Sequence, residues 1–116
     1  MKPQIIKVNA YVYPIISFVG YGVDENQFRT FMKKRGCSDE IMDALFVSHV
    51  RGKMVVDDKT QAVYVWTPTK DIIALVHELA HTAFYILEIC GVVISSENDE
   101  AFCYLQQHLL SSVLEV

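Results

Sequence analysis

Apolar and polar residues alternate along residues 5–13: Ile6, Val8, Ala10 and Val12 are interleaved with Lys7, Asn9 and Tyr11. That is the period of a half-buried strand. Residues 15–19 read as a second strand or a bent continuation past Pro14, and Gly20-Tyr21-Gly22 as a turn. From Asp24 the period lengthens. Phe28, Phe31 and Met32 form one stripe over residues 24–35, with Asp24 as N-cap, Gln27 completing a capping box and Gly36 ending the helix. Ser38 caps a second, short helix to about Phe46, with Ile41, Met42 and Leu45 turned inward. Residues 53–56 and 62–66 flank Asp57-Asp58-Lys59-Thr60 as a hairpin.

Pro68 stops that hairpin and Thr69 caps a long helix to about Cys90. The helix is apolar nearly all round, through Ile72, Ile73, Leu75, Val76, Leu79, Phe84, Ile86, Leu87 and Ile89, so it is expected to be buried centrally. A last helix spans residues 97–114 with Ala101, Leu105, Leu109 and Val113 at helical spacing.

The long helix carries His77-Glu78-Leu79-Ala80-His81. Residues i and i+4 share a helix face, so both imidazoles can reach one metal ion. Zinc suits them, taking imidazole nitrogen at about 2.0–2.1 Å without a directional preference of its own. Glu78 points off that face, where a carboxylate can accept a proton from a metal-bound water. A catalytic zinc usually has three protein ligands and one open position. Glu88 lies on the same helix, roughly 10 Å along its axis from His81, too far to share the ion. Glu97 and Glu100 open the last helix, and an antiparallel return can carry either one to the metal.

The motif, the eighteen residues 82–99, and Glu100 within Asn98-Asp99-Glu100-Ala101-Phe102 resemble the gluzincin branch of zinc metallopeptidases over residues 63–110. The resemblance implies His77, His81 and Glu100 as zinc ligands, with Glu97 in reserve, and Glu78 as general base. Some members place an Asp four residues after the ligand glutamate to orient a histidine. Here that position is Tyr104, whose hydroxyl is a candidate for the same supporting role. Full-length members draw a transition-state His or Tyr from a C-terminal region without a counterpart in these residues, so metal binding is the firmer expectation. Tyr64, Tyr85 and Tyr104 are the candidates for an oxyanion-stabilising group. The bland alternative is that the histidines are hydrogen-bonded core residues and Glu100 a helix-start acid favoured by the dipole.

The implied fold is α+β and zincin-like, a single domain over residues 1–116, with a short, mostly antiparallel sheet packed on the motif helix and the C-terminal glutamate helix. Residues 62–66, leading into the motif helix, are the candidate strand for pairing with an extended peptide. The alternative is an ordinary edge strand. Two functions follow as expectations: a minimal zinc metallopeptidase, or a catalytically silent domain in which zinc bolts two helices together. Partners are then a peptide or protein substrate or a protein partner. A looser likeness to small proteins of phages and mobile elements adds a virion assembly to these.

Composition narrows the classes. Apolar residues make up 52% and charged residues 21%, a globular balance, and a net charge of −4 argues against a nucleic-acid footprint. The run Lys33-Lys34-Arg35 falls where a helix C-terminus favours cations. Cys37, Cys90 and Cys103 make an odd count without zinc-knuckle spacing and suit a reducing compartment, Cys90 and Cys103 as small hydrophobes. Residues 72–94 contain His77, Glu78, His81 and Glu88, which are costly in lipid, so no membrane span is expected. Residues 1–22 superficially suggest a signal peptide, but Pro14 and the strand-like alternation argue for a cytoplasmic or virion protein. His49 and His108 have no partners at ligand spacing.

Overall fold

β1 (Ile5–Ala10) turns through Tyr11 and Val12 into β2 (Tyr13–Tyr21), so the first strand ends three residues earlier than the alternation implied. Tyr11 takes the turn with φ 55°. The pairing of β1 with β2 slips at Asn9/Ala10, from Asn9 opposite Ile16 to Ala10 opposite Tyr13. Pro14 and Ile15 fall inside that irregularity, where a residue without an N–H is tolerated. Gly20 and Tyr21 belong to β2, leaving Gly22 to turn with φ +68°. The computed structural model describes residues 4–115.

α1 (Glu25–Lys34) is capped by Asp24, whose carboxylate accepts from the N–H groups of Asn26 and Gln27. α2 (Asp39–Leu45) is capped by the Ser38 hydroxyl, which accepts from the Ile41 N–H. β3 (Lys53–Asp57) and β4 (Ala62–Thr67) form the expected hairpin. α3 (Ile72–Ile89) starts later than the sequence suggested: its N-cap is Asp71 rather than Thr69, with the side chain accepting from the Ala74 N–H. α4 (Asp99–Leu114) begins after Glu97. Asn98 precedes it without a side-chain cap bond, because its amide oxygen is taken by the N–H and hydroxyl of Ser95.

The sheet order is β1-β2-β4-β3, antiparallel in the two hairpins and parallel where β2 meets β4. This is an α+β fold with a four-stranded mixed sheet and four helices. β4 lies inside the sheet and is buried at every residue. Its Val63 and Val65 pack with Val8, Ile15 and Val19 against Leu75, Leu79 and Ile86 of α3 and Leu105 and Leu109 of α4. Its Tyr64 and Trp66 point to the other face, with Phe28 and Met32 of α1 and Met42 and Leu45 of α2. Alternation along one interior strand therefore feeds two cores. The Trp66 indole N–H donates to the Val23 carbonyl at 2.7 Å and ties the approach to α1 to the sheet.

α3 is not buried all round. Leu75, Leu79, Ala83, Ile86 and Leu87 are buried, while Ile73, Val76, Phe84 and Ile89 are exposed. By length and hydropathy alone it would serve as a membrane span, but here one face of it packs on the sheet. α4 returns beside it: Phe102 meets Phe84 at a ring-centroid distance of 4.5 Å, and the Gln106 amide donates to the Val76 carbonyl at 3.4 Å. The antiparallel helix pair expected from the sequence is present.

Candidate functional site

His77 and His81 lie near the middle of the outward face of α3. At about 100° per residue, the buried positions of α3 centre close to Leu75 and Leu79, and the two histidines fall roughly opposite. The His77 side chain is 67% exposed, against 11% for Glu78 beside it. Their Nε2 atoms stand 3.2 Å apart, with the rings at 83° to each other. Two imidazoles on a tetrahedral ion with bonds of about 2.0–2.1 Å hold their nitrogens roughly 3.3 Å apart. The pair thus has the spacing of two adjacent ligands. Without metal, one Nε2 carries the hydrogen and the other accepts it; binding metal requires two bare Nε2 atoms, with the hydrogens on Nδ1.

Glu78 turns inward beside them. One carboxylate oxygen is 3.9 Å from His77 Nε2, too long for a hydrogen bond but close enough to receive a proton through one water. Its Cγ lies against Gly52, where a Cβ would come within 3.2 Å of it and of Thr67 Cγ2. Below it, the Thr82 hydroxyl donates to the Glu78 carbonyl at 2.9 Å. Gly52 thus leaves room for the Glu78 side chain, while Thr82 holds its main-chain carbonyl. In the sequence Gly52 is one more turn residue and Thr82 one more polar position on an apolar helix, so neither signals a contact with Glu78.

Glu100 is not brought to the histidines. It is exposed in the first turn of α4, on the pole of that helix opposite Leu105, Leu109 and Val113. Phe102 is level with Phe84, which puts Glu100 beyond His81 toward the end of α3. Glu97 is also exposed, with its N–H given to the Ser95 hydroxyl. Among the described residues no three His, Cys, Asp or Glu side chains are grouped to hold a metal. The donor set fits two positions of a zinc ion and lacks the third.

The tyrosines divide. Tyr64 is buried on the far side of the sheet from α3, where Arg35 Nε donates to its hydroxyl at 3.0 Å, so it cannot serve at the histidines. Burial pushes its hydroxyl up to about 12. Tyr104 is exposed on α4, and Tyr85 is half-buried on α3 with burial and then Asp58 raising its hydroxyl. The strand expected to pair with a peptide was residues 62–66, but β4 is flanked on both sides by β2 and β3. Among the described residues β3 pairs with β4 alone and forms the sheet edge on this side. Cys103 is exposed rather than packed, Cys90 half-buried and Cys37 buried, all as free thiols. His108 is occupied structurally: its Nε2 donates to the Asn9 carbonyl at 2.7 Å, and its ring stacks on Tyr11.

The class these features define is an α+β domain with helices on both faces of a mixed sheet and an outward-facing histidine pair. No protein-family model, no curated protein and no solved structure matches the chain. The resemblance to the gluzincin branch is corrected accordingly. No family match carries it, and the three-ligand group it implied is absent among the described residues.

Proposed function

We propose that this protein is a metal-binding domain whose donors are His77 and His81, with zinc as the ion. The observation that carries the reading is the 3.2 Å separation of the two Nε2 atoms on an exposed helix face. Two imidazoles presented at ligand spacing lose little entropy on binding, because α3 already holds their backbones one turn apart. An exposed two-donor site supplies neither the third ligand nor the dry, shaped cavity of hydrolytic zinc centres, so it favours binding over turnover. Zinc titration of the purified chain, read by metal analysis and by imidazole NMR signals, tests the reading. Wild-type protein is expected to take up zinc, and His77→Ala and His81→Ala each to weaken uptake. A chain that stays metal-free with zinc added would end it.

The second reading is hydrolysis of peptide bonds, favoured by the Glu78 carboxylate 3.9 Å from His77 Nε2 and by the position of β3 at the sheet edge beside α3. In that reading His77 and His81 would hold a zinc ion that polarises a water, Glu78 would be the group placed to take the proton, and an extended peptide would pair with β3. A peptide-library digest comparing wild type with Glu78→Gln tests it.

A further inference from the structure

We infer that β3 pairs with β3 of a second copy, antiparallel about a two-fold axis at Val55, joining two four-stranded sheets into one of eight strands. The two outer strands of the sheet differ. Along β1, α4 is a close neighbour, and its His108 Nε2 donates to the Asn9 carbonyl at 2.7 Å. Along β3, among the described residues, the main chain of residues 53–56 bonds to β4 alone. An edge strand turns alternate N–H and C=O groups away from its own sheet, a template for another strand.

The order Lys53-Met54-Val55-Val56-Asp57 selects the occupant, because it is complementary to its own reverse. About Val55, Met54 comes opposite Val56 and Lys53 opposite Asp57, once at each end. Residues directly opposite in an antiparallel pair share a face, with Cβ atoms about 4.5–5.5 Å apart. Lys53, Val55 and Asp57 lie opposite Trp66, Tyr64 and Ala62 of β4, on the α1 and α2 side. Met54 and Val56 lie on the α3 side. Asp57 is buried and accepts the Lys59 N–H at 3.1 Å, but no cation of its own chain pairs with it among the described residues. Lys53 of the second copy supplies that cation. Other registers lose this match. A slip of two residues toward the turn sets Lys53 against Lys59, and the opposite slip sets Asp57 against Arg51, which Asp71 already holds. In the matched register Arg51 comes opposite Lys59 beyond the strand, with its charge met by Asp71. The dimer stands apart from zinc binding and takes the edge that the hydrolytic reading gives to a peptide.

The test is sedimentation of the full chain over a concentration series with chelator present, circular dichroism checking the fold of each variant. The mass is expected to rise from 13.2 kDa toward twice that value. Amide exchange along residues 53–57 should slow as the dimer forms. Lys53→Glu, at a half-buried position, should weaken association by about tenfold or more, since two cross-strand pairs turn from attraction to repulsion. Asp57→Lys should weaken it likewise, and mixing the two variants should restore dimers, because each then offers the charge the other lacks. If Asp57→Lys does not fold, Lys53→Glu and the exchange data decide alone. A monomer at the highest soluble concentration would overturn the dimer and leave the proposed metal binding standing. So would association that Lys53→Glu leaves unchanged, or exchange at residues 53–57 that does not depend on concentration.

Discussion

Arg51 grips Asp71 with two hydrogen bonds, Nε at 2.6 Å and Nη2 at 2.9 Å, while the same carboxylate caps α3 through the Ala74 N–H at 3.1 Å. One side chain therefore starts the helix that carries the histidines and ties it to the segment before β3. The two roles are separable, because Arg51→Ala removes only the tie and Asp71→Ala removes tie and cap together. Asp71→Ala should lower the melting temperature more than Arg51→Ala, and amide exchange at Ala74 should speed up in the first variant. The Arg51 guanidinium, then the Ala74 N–H, hold the Asp71 carboxyl below its ordinary value. The contact is present above the usual carboxylate range and is lost as pH falls through the lowered value. An NMR titration of Asp71 checks the direction.

Tyr64 sets a limit at the alkaline end. Burial, with Cys37 adding to it, raises its hydroxyl to about 12 in the folded chain, against about 10 when unfolded. The folded state keeps a proton that the unfolded state gives up. That stabilisation is complete below about pH 10 and is lost as pH rises toward 12. Stability should therefore fall across that window, and tyrosinate absorbance should show one tyrosine ionising only with unfolding. Tyr64→Phe should flatten the pH dependence.

The two sides of α3 should respond differently to truncation. Leu79 is fully buried between the sheet and α4, and Leu79→Ala should cost about 2–5 kcal/mol in urea denaturation. Ile73→Ala, on the exposed face, should stay within about 0.5 kcal/mol in the absence of metal. Comparable losses at the two positions would mean that the outward face is covered within one chain.

Metal uptake should weaken on acidification, because protons compete with the metal for both imidazoles. Glu78→Gln should leave uptake unchanged. If the hydrolytic reading holds, the same variant should lose peptide cleavage by about 10²–10⁴-fold. Equal, background cleavage by wild type and variant in a peptide-library digest would leave the metal a binding role alone.

Much of the local structure was legible. Asp24 and Ser38 act over three or four residues and cap where the sequence placed them, while the hairpin turn falls one residue later than expected, at residues 58–61, because Asp57 stays in β3 opposite Ala62. Tyr11 was not legible as a turn, because a tyrosine with positive φ breaks no rule that its neighbours announce, and the alternation runs straight through it. Thr69 and Asp71 are both acceptable caps, and Asp71 caps the helix while also held by Arg51, twenty residues back.

The sequence by itself determined that His77 and His81 would face the same way, because a spacing of four residues on one helix is a local property of the backbone. Only the tertiary structure decided which way. α3 is apolar on nearly every side, so its pattern did not specify a buried face. The choice came from Val63 and Val65 packing on Leu75, Leu79 and Ile86, which left the histidines outward. The sheet order likewise depends on the parallel pairing of Ser17–Tyr21 with Val63–Thr67, a contact across more than forty residues. That pairing puts β4 inside and β3 at the edge. The place of Glu100 depends on how α4 is rotated about its own axis. Burial of Leu105, Leu109 and Val113 settles that rotation and turns the glutamate away from the core.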